Sequence, residues 1–266
     1  MVNNTTKKTP KISIGMPVFN GGATVRDALE SLLAQTFADF ELIISDNGST
    51  DDTEEICREY DAADERIRYV RQPENRGAAA NWAFVLDQAV GEYFMWAAHD
   101  DLWDPSYIYE LTSVLDADSS VGVAFSGRVL FDRSTGSKTP YLTGYTTSKF
   151  KLFRYLFRVF QCEVLIIYGL HRINVIRSLT LMNFDYYDVY LSRWYELESS
   201  IRIVPKMLFY VGTTGNRIPH SVTGPNITYK TFFTTEFRLL RRHFGVILAP
   251  ILLIPSLLQR LKHHLD

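Results

Sequence analysis

Four short strand-like segments limit what this chain can become. Lys11–Phe19, Phe40–Ser45, Ile67–Val70 and Glu92–Ala98 each read as a strand, Phe40–Ser45 and Glu92–Ala98 as buried ones, and a helical pattern separates each from the next. In the first gap Val25, Leu29, Leu32 and Leu33 recur at helical spacing over about Thr24–Gln35. In the second, Ser49 or Thr50 followed by acids predicts a capped helix start, with Ile56 and Tyr60 on its apolar side. In the third, Ala78–Ala89 predicts a helix of small and apolar residues. Strands that alternate with helices imply a mainly parallel sheet covered on both faces, and such sheets bind ligands beyond the carboxyl ends of their strands.

Three polar clusters leave such ends: Pro17–Gly22, Asp46–Asp52 and His99–Asp101. They should meet in one crevice. The third is the most abrupt, because the run Tyr93–Ala98 stops at an imidazole and two adjacent carboxylates. Neighbouring carboxylates repel unless solvent or a cation compensates. The same residues also suit a surface turn before a helix, with Asp104 as N-cap and Pro105 in the first helical position. Both readings stand on this stretch alone.

Further along, the pattern predicts a helix over Ser106–Leu115, a strand over Val121–Phe131 and a long polar loop over Asp132–Ser148. Leu152, Phe153, Leu156, Phe157 and Phe160 fall on one helical face, opposite Lys151, Arg154 and Arg158. Leu165–His171 reads as a strand, Asp188–Glu198 as a helix, and Ile201–Val211 as a strand that Pro205 makes an edge or an irregular one. Phe244–Leu258 is apolar all round, broken by Pro250 and Pro255 and flanked by Arg241, Arg242, Arg260 and Lys262. It is shorter than the roughly 20 residues of a spanning helix, and its flanks favour contact with an anionic membrane surface over 238–262. The alternative is a helix pair packed on the protein itself or on another subunit.

With 266 residues, 46% of them hydrophobic, the chain can form one large domain or a domain with an appendage. Its net charge of -2 makes nucleic acid a poor partner. The two cysteines, Cys57 and Cys162, lack neighbours at ligand spacing, which argues against a disulfide framework or a zinc site and suggests a reducing compartment. Met1–Pro10 is polar and Thr-rich, without the apolar core of a secretory signal, and reads as a frayed lead-in. No Gly-x-Gly-x-x-Gly follows the first strand, and neither a Gly-Lys-Ser/Thr loop nor a Gly-x-Ser-x-Gly elbow occurs. Dinucleotide-dependent redox, P-loop phosphotransfer and elbow-type hydrolysis are therefore disfavoured.

What remains is a set of acids at strand ends with no basic phosphate cradle beside them. A divalent cation on Asp100 or Asp101 would supply the missing charge and hold a diphosphate by its oxygens. Ile12–Asn20, Ser31–Thr36, Glu41–Asp51 and Asn75–Gly77, followed by the acidic cluster, resemble the family 2 glycosyltransferases of the GT-A fold. The likeness is strong over 11–131 and loose over 160–222. It implies an α/β GT-A fold with a mainly parallel central sheet flanked by helices: a Rossmann-like nucleotide-binding half at 11–131, an acceptor half at 132–222 and a C-terminal helical appendage at 223–266.

The resemblance further implies a nucleotide-sugar donor, usually a UDP or dTDP sugar, held with Mn²⁺ or Mg²⁺, and transfer with inversion to a saccharide or lipid-linked acceptor. It places Pro17, Val18, Phe19 and Asn20 along the nucleoside, Asp46 as acceptor from the base with Asn47 beside it, and Arg76 and Gly77 at the nucleotide pocket. Asp100 is the first choice of metal ligand and Asp101 the second, with His99 as ligand, neighbour or sugar contact. Many relatives carry another Asp where this chain has Ala98 or His99, so the metal geometry departs from theirs. The general base maps to Phe184–Leu191, where the spacing to Val204-Pro205 favours Asp188 over Asp185. Arg217 would pair with phosphate and His220 would reach the metal, near Ser221.

The setting implied is the cytoplasmic face of a membrane, in surface-polysaccharide or glycolipid synthesis, with a homo-oligomer left open. Two rivals remain. A sugar nucleotidyltransferase would want a Gly-rich first loop with a basic partner, which Asn20-Gly21-Gly22 lacks. A degenerate, non-catalytic sugar- or membrane-binding subunit is suggested by Ala98 and His99.

Overall fold

The computed structural model describes residues 8–142, 150–160, 165–178, 187–213 and 236–244, with Ala249 and Leu253. The first half alternates as its pattern requires: β1 (Ile12–Val18), α1 (Val25–Leu33), β2 (Phe40–Asp46), α2 (Thr53–Ala63), β3 (Ile67–Arg71), α3 (Ala78–Gln88) and β4 (Tyr93–Trp96). There follow β5 (Leu102–Trp103), α4 (Tyr107–Ala117), β6 (Val121–Asp132), β7 (Lys138–Tyr141), α5 (Lys151–Phe160), a 3₁₀ turn (Leu165–Tyr168), β8 (Leu170–Arg172), α6 (Ile173–Ile176), α7 (Tyr187–Glu198) and β9 (Ser200–Thr213). Among the described residues they form one sheet of order β3-β2-β1-β4-β8-β6-β9-β5, with β7 beside β6.

The sheet is parallel from β3 to β4 and again between β6 and β9. The short β8 joins these two parts by antiparallel pairing to both β4 and β6. Every residue of β1 is buried, as befits the middle of a sheet with helices packed on it. In α1 the buried set is Val25, Ala28, Leu29 and Leu32, the stripe an amphipathic helix turns to its core. The register aligns Val18 with Asp46 and Gly15 with Trp96. The loops after β1, β2 and β4 therefore leave the sheet at one end.

Several sequence expectations change. Helix α2 starts at Thr53 rather than at Ser49 or Thr50, because Ser49 and Thr50 are bonded across to the β1 loop. The expected loop 132–148 begins as a hairpin: Asp132 accepts from the Ser134 amide at 2.8 Å, and β7 then runs back along β6. All four residues of β7 are exposed, so no apolar alternation marked it. Leu165–His171 is a 3₁₀ turn followed by β8, not one strand. Pro205 sits in an irregularity of β9, where the pairing steps from Ser126–Val204 to Gly127–Met207 and no amide is required of it.

The face expected on α5 is also different. Tyr155 and Val159 are buried and Phe153 is 58% exposed, while Arg154 is buried with its guanidinium on the Glu196 and Ser199 carbonyls. Those oxygens lie in the last turn of α7 and just beyond it, and a guanidinium satisfies such orphan acceptors well. The helix at 236–244 is anchored by Glu236, which takes the Arg193 guanidinium at 2.5 Å and the Tyr155 hydroxyl at 2.8 Å. Leu239 and Leu240 are buried there, while Arg238, Arg241 and Arg242 are exposed. Part of the segment expected at a membrane thus sits on the protein. No helix among the described residues is long and apolar enough to cross a membrane.

Candidate functional site

The loops after β1 and β2 are stitched together by short polar residues. Asn20, at φ 53°, adopts the left-handed conformation that Asn tolerates better than most residues. Its amide donates to Ser49 Oγ at 2.9 Å, and its Oδ1 accepts from the Thr50 amide at 2.9 Å. The next two amides, of Gly21 and Gly22, donate to Thr53 Oγ1 and Asp51 Oδ2. Thr24 Oγ1 lies 3.1 Å from His99 Nδ1, which brings the loop after β4 to the same place. The three clusters predicted to converge do so.

Asp46, expected to accept a hydrogen bond from the base, already has its carboxylate engaged within the protein. It has no exposed surface, and protein donors hold its carboxylate: the Ser49 amide at 2.8 Å, the Tyr69 hydroxyl at 2.7 Å and Arg71 Nη1 at 2.8 Å. Burial and the Asp46 hydrogen bond push the Tyr69 phenol well above its usual range. Asp46 here braces the pocket wall from behind. Asn47, also buried, fastens the third loop, donating to Asn75 Oδ1 at 2.9 Å and accepting from the Arg76 amide at 2.9 Å. That leaves the Arg76 side chain exposed. Gly77 has φ 83°, and a Cβ at that position would meet nothing within 4 Å, so backbone conformation, not crowding, demands glycine there. Pro17 and Val18 are buried in β1, and Phe19 stands 42% exposed at its end.

The acidic pair divides. Asp100 lines an open crevice with Asn20, Gly21, Ala23, Thr24, His99, Arg133, Gly212 and Thr213. Asp101, expected as a second metal ligand, is 4% exposed, does not line that crevice, and accepts the Gly212 amide on Oδ1 at 2.9 Å. Burial first, and then the Asp100 charge, raise its pKa well above the carboxylate range. Its job is to fasten the end of β9 beneath the crevice.

Two residues with no sequence signal complete the floor. Arg133, just after β6, donates from Nη2 to the Asp100 carbonyl at 2.9 Å and from Nη1 to Asp27 of α1 at 3.0 Å. Gly212 of β9 comes so close to Asp100 that a Cβ there would lie 2.1 Å from its carbonyl oxygen. Both come from the second half of the chain. Among the described residues no three His, Cys, Asp or Glu side chains cluster as a ready metal cage. A lone accessible carboxylate does fit a hard divalent cation that takes its other ligands from water and substrate phosphates. Asp188 is the second residue of α7; Asp185, Arg217 and His220 lie outside the described residues. Trp96, Trp103, Trp194 and Tyr195 are buried in the core and so offer no open ring face to a sugar, while Tyr168 is half-buried.

Residues 13–178 match the family model described as glycosyl transferase family 2. The chain belongs to that family. As a family 2 member it is 32% identical to the glycosyltransferase GlyG of Streptococcus pneumoniae over 136 residues, 50% of this chain and 44% of GlyG. It is 32% identical to the putative glycosyltransferase EpsE of Bacillus subtilis over 124 residues, 46% of this chain and 45% of EpsE. The aligned part is thus less than half of either relative. Among solved structures, S. aureus TarS 1-349 in complex with UDP-GlcNAc superposes with a TM-score of 0.65 at 16% identity, covering 86% of this chain and 65% of that one. The mannosyltransferase PcManGT from Pyrobaculum calidifontis, in complex with GDP-Man and Mn²⁺, gives 0.56 at 14% identity, covering 94% and 70%. These likenesses establish the GT-A type of α/β fold for this family 2 domain.

Proposed function

We propose that this chain transfers a glycosyl group, with inversion, from a nucleoside diphosphate sugar to a hydroxyl of a saccharide or lipid-linked acceptor. The carrying observation is the crevice at the carboxyl ends of β1 and β4, where loops of the nucleotide half meet Asp100. The nucleoside lies against Pro17, Val18, Phe19 and Asn20, with Asp46 and Asn47 bracing the wall and Arg76 and Gly77 closing the rim. The diphosphate lies toward His99 and Asp100; Arg217 and His220, which lie outside the described residues, are the further candidates to hold the phosphate and the metal. UDP and dTDP sugars are the donors we favour; the likeness to TarS, which binds UDP-GlcNAc, supports a uridine donor.

Asp100 is the residue that would hold Mn²⁺ or Mg²⁺, and that ion would offset the charge developing on the leaving diphosphate. Inversion requires a base on the far face of the sugar. Asp188, with Asp185 as the alternative, takes the proton of the acceptor hydroxyl; the oxygen bonds to the anomeric carbon as the bond to the diphosphate breaks. Support comes from the place of Asp188 in the first turn of α7, in the acceptor half. The exposed Arg238, Arg241 and Arg242 support contact of the 238–262 segment with an anionic membrane surface.

Titration of UDP, dTDP and GDP with and without Mn²⁺, together with donor hydrolysis, tests the reading. Metal-linked binding and turnover are expected, and their absence would favour a degenerate binding subunit. Removing a general base costs about 10² to 10⁴ in rate. Asp188→Asn in a folded protein should show a loss of that order, and near-normal turnover would remove Asp188 from the mechanism.

A further inference from the structure

We propose that Arg133 binds the diphosphate of the donor, exchanging its contact with Asp27 for phosphate oxygen. This rests on the donor reading above and names a residue for it. Among the described side chains lining the crevice, Arg133 is the one with a permanent positive charge, and it stands beside Asp100. The sequence around the first strands offers no basic phosphate cradle; the structure delivers the cation from the turn after β6, more than 30 residues beyond Asp100 in the chain.

Its anchoring suits that task. The Arg133 amide donates to the Thr213 carbonyl at 2.9 Å and Nη2 to the Asp100 carbonyl at 2.9 Å, so backbone and one side of the guanidinium are fixed. Nε is buried without a hydrogen-bond partner among the described residues, an uncommon state for a buried donor. Nη1 alone points to a carboxylate that water can take over, since the Asp27 side chain is 57% exposed and the Arg133 side chain 18%. Such half-exposed pairs hold weakly. A diphosphate in the crevice offers more negative charge and a geometry that the planar fork of Arg matches.

The rival role is that Arg133 only positions Asp100 through its carbonyl. Calorimetry separates the two, using whichever of UDP, dTDP and GDP the wild-type chain binds best with Mn²⁺, against the corresponding nucleoside. Arg133→Gln should weaken the diphosphate by ~10- to 100-fold, the scale of one charge-assisted contact, and the nucleoside by less than about 2-fold. Arg133→Lys, which keeps the charge, should recover part of the loss. Asp27→Asn should leave diphosphate affinity equal or higher. Added to Asp100→Asn, Arg133→Gln should cause a further loss, because a direct contact is independent of the metal ligand.

Affinity within 2-fold of wild type in Arg133→Gln, or no further loss on top of Asp100→Asn, overturns the assignment. A loss in Asp27→Asn as large as that in Arg133→Gln also overturns it, since the ion pair would then be structural. If the wild-type chain binds none of the three diphosphates, the donor reading itself fails; binding that ignores Arg133 sinks this inference alone.

Discussion

The amide of Gly212 donates to Asp101 Oδ1 at 2.9 Å, while the α-carbon of Gly212 passes so near Asp100 that any Cβ would strike its carbonyl oxygen. One glycine of β9 thereby sets the height of both carboxylates, one fastened below the crevice and one presented to it. Gly212→Ala should push β9 away from Asp100, because the obstacle is backbone and not a flexible side chain end. A stability loss of ~1–3 kcal/mol is expected, as for overpacking elsewhere, with donor turnover falling at least about tenfold as Asp100 shifts. Thermal unfolding and donor hydrolysis measure the two. Wild-type values for both would contradict the contact.

Asp46 makes a different prediction. Removing its carboxylate leaves the Tyr69 hydroxyl, the Ser49 amide and Arg71 without their acceptor, although Arg71 keeps Glu54 at 3.2 Å. Breaking a fully buried pair costs ~3–5 kcal/mol, and the one-third exposure of Arg71 lowers the figure to about 2–4. Urea unfolding of Asp46→Ala should show that drop. An unchanged midpoint would mean that these contacts do not brace the wall, and nucleotide affinities of this variant should be read only under conditions where it is folded.

Asn47 and Arg76 should separate loop order from ligand contact. Asn47→Ala removes the bonds to Asn75 Oδ1, the Arg76 amide and, at 3.3 Å, the Gly77 carbonyl. It should cost ~1–3 kcal/mol for the three hydrogen bonds that the buried Asn47 side chain loses to exposed partners, and weaken nucleotide binding as well. Arg76→Ala, at an exposed position, should leave stability within about 0.5 kcal/mol and, on the proposed donor site, weaken nucleotide binding only. Equal stability loss in both variants would refute the division.

His171 sets a pH dependence away from the crevice. Burial lowers its pKa from 6.5 to about 4, with Nδ1 at 2.6 Å from the Tyr195 hydroxyl and Nε2 at 2.9 Å from the Ile167 carbonyl. A folded-state pKa below the unfolded one means that the unfolded chain takes up the proton first as pH falls. The stability is therefore fully present above pH 6.5 and is lost on descending to about 4, a contribution of ~3 kcal/mol at most. Denaturant unfolding across roughly pH 4.5 to 7.5 should show the slope, and His171→Gln should flatten it. A slope that persists in the variant would assign it to other groups.

The first half of the fold was legible because its signals are local. Strands β1, β2 and β4 are apolar runs, α1 shows its stripe as Val25, Leu29 and Leu32, and the polar clusters stand where those runs stop. The second half was less legible for an equally physical reason. The exposed β7 has no core face to pattern it, and Arg154, in a helix that reads as amphipathic, is buried because carbonyls of the α7 terminus need a donor.

The sequence by itself determined the alternating architecture, the end of the sheet where the loops gather and the kinship with glycosyltransferases, since periodicity and short motifs survive without contacts. Only the tertiary structure decided how the site is divided. Adjacent in the chain, Asp100 and Asp101 carry the same chemistry on paper, and nothing local separates an exposed carboxylate from a buried one. What separates them arrives from far along the chain. Strand β9, more than 100 residues away, places the Gly212 amide under Asp101, and the turn after β6 sets the Arg133 guanidinium behind Asp100. Hydrogen bonds between such distant segments exist only once the sheet has closed.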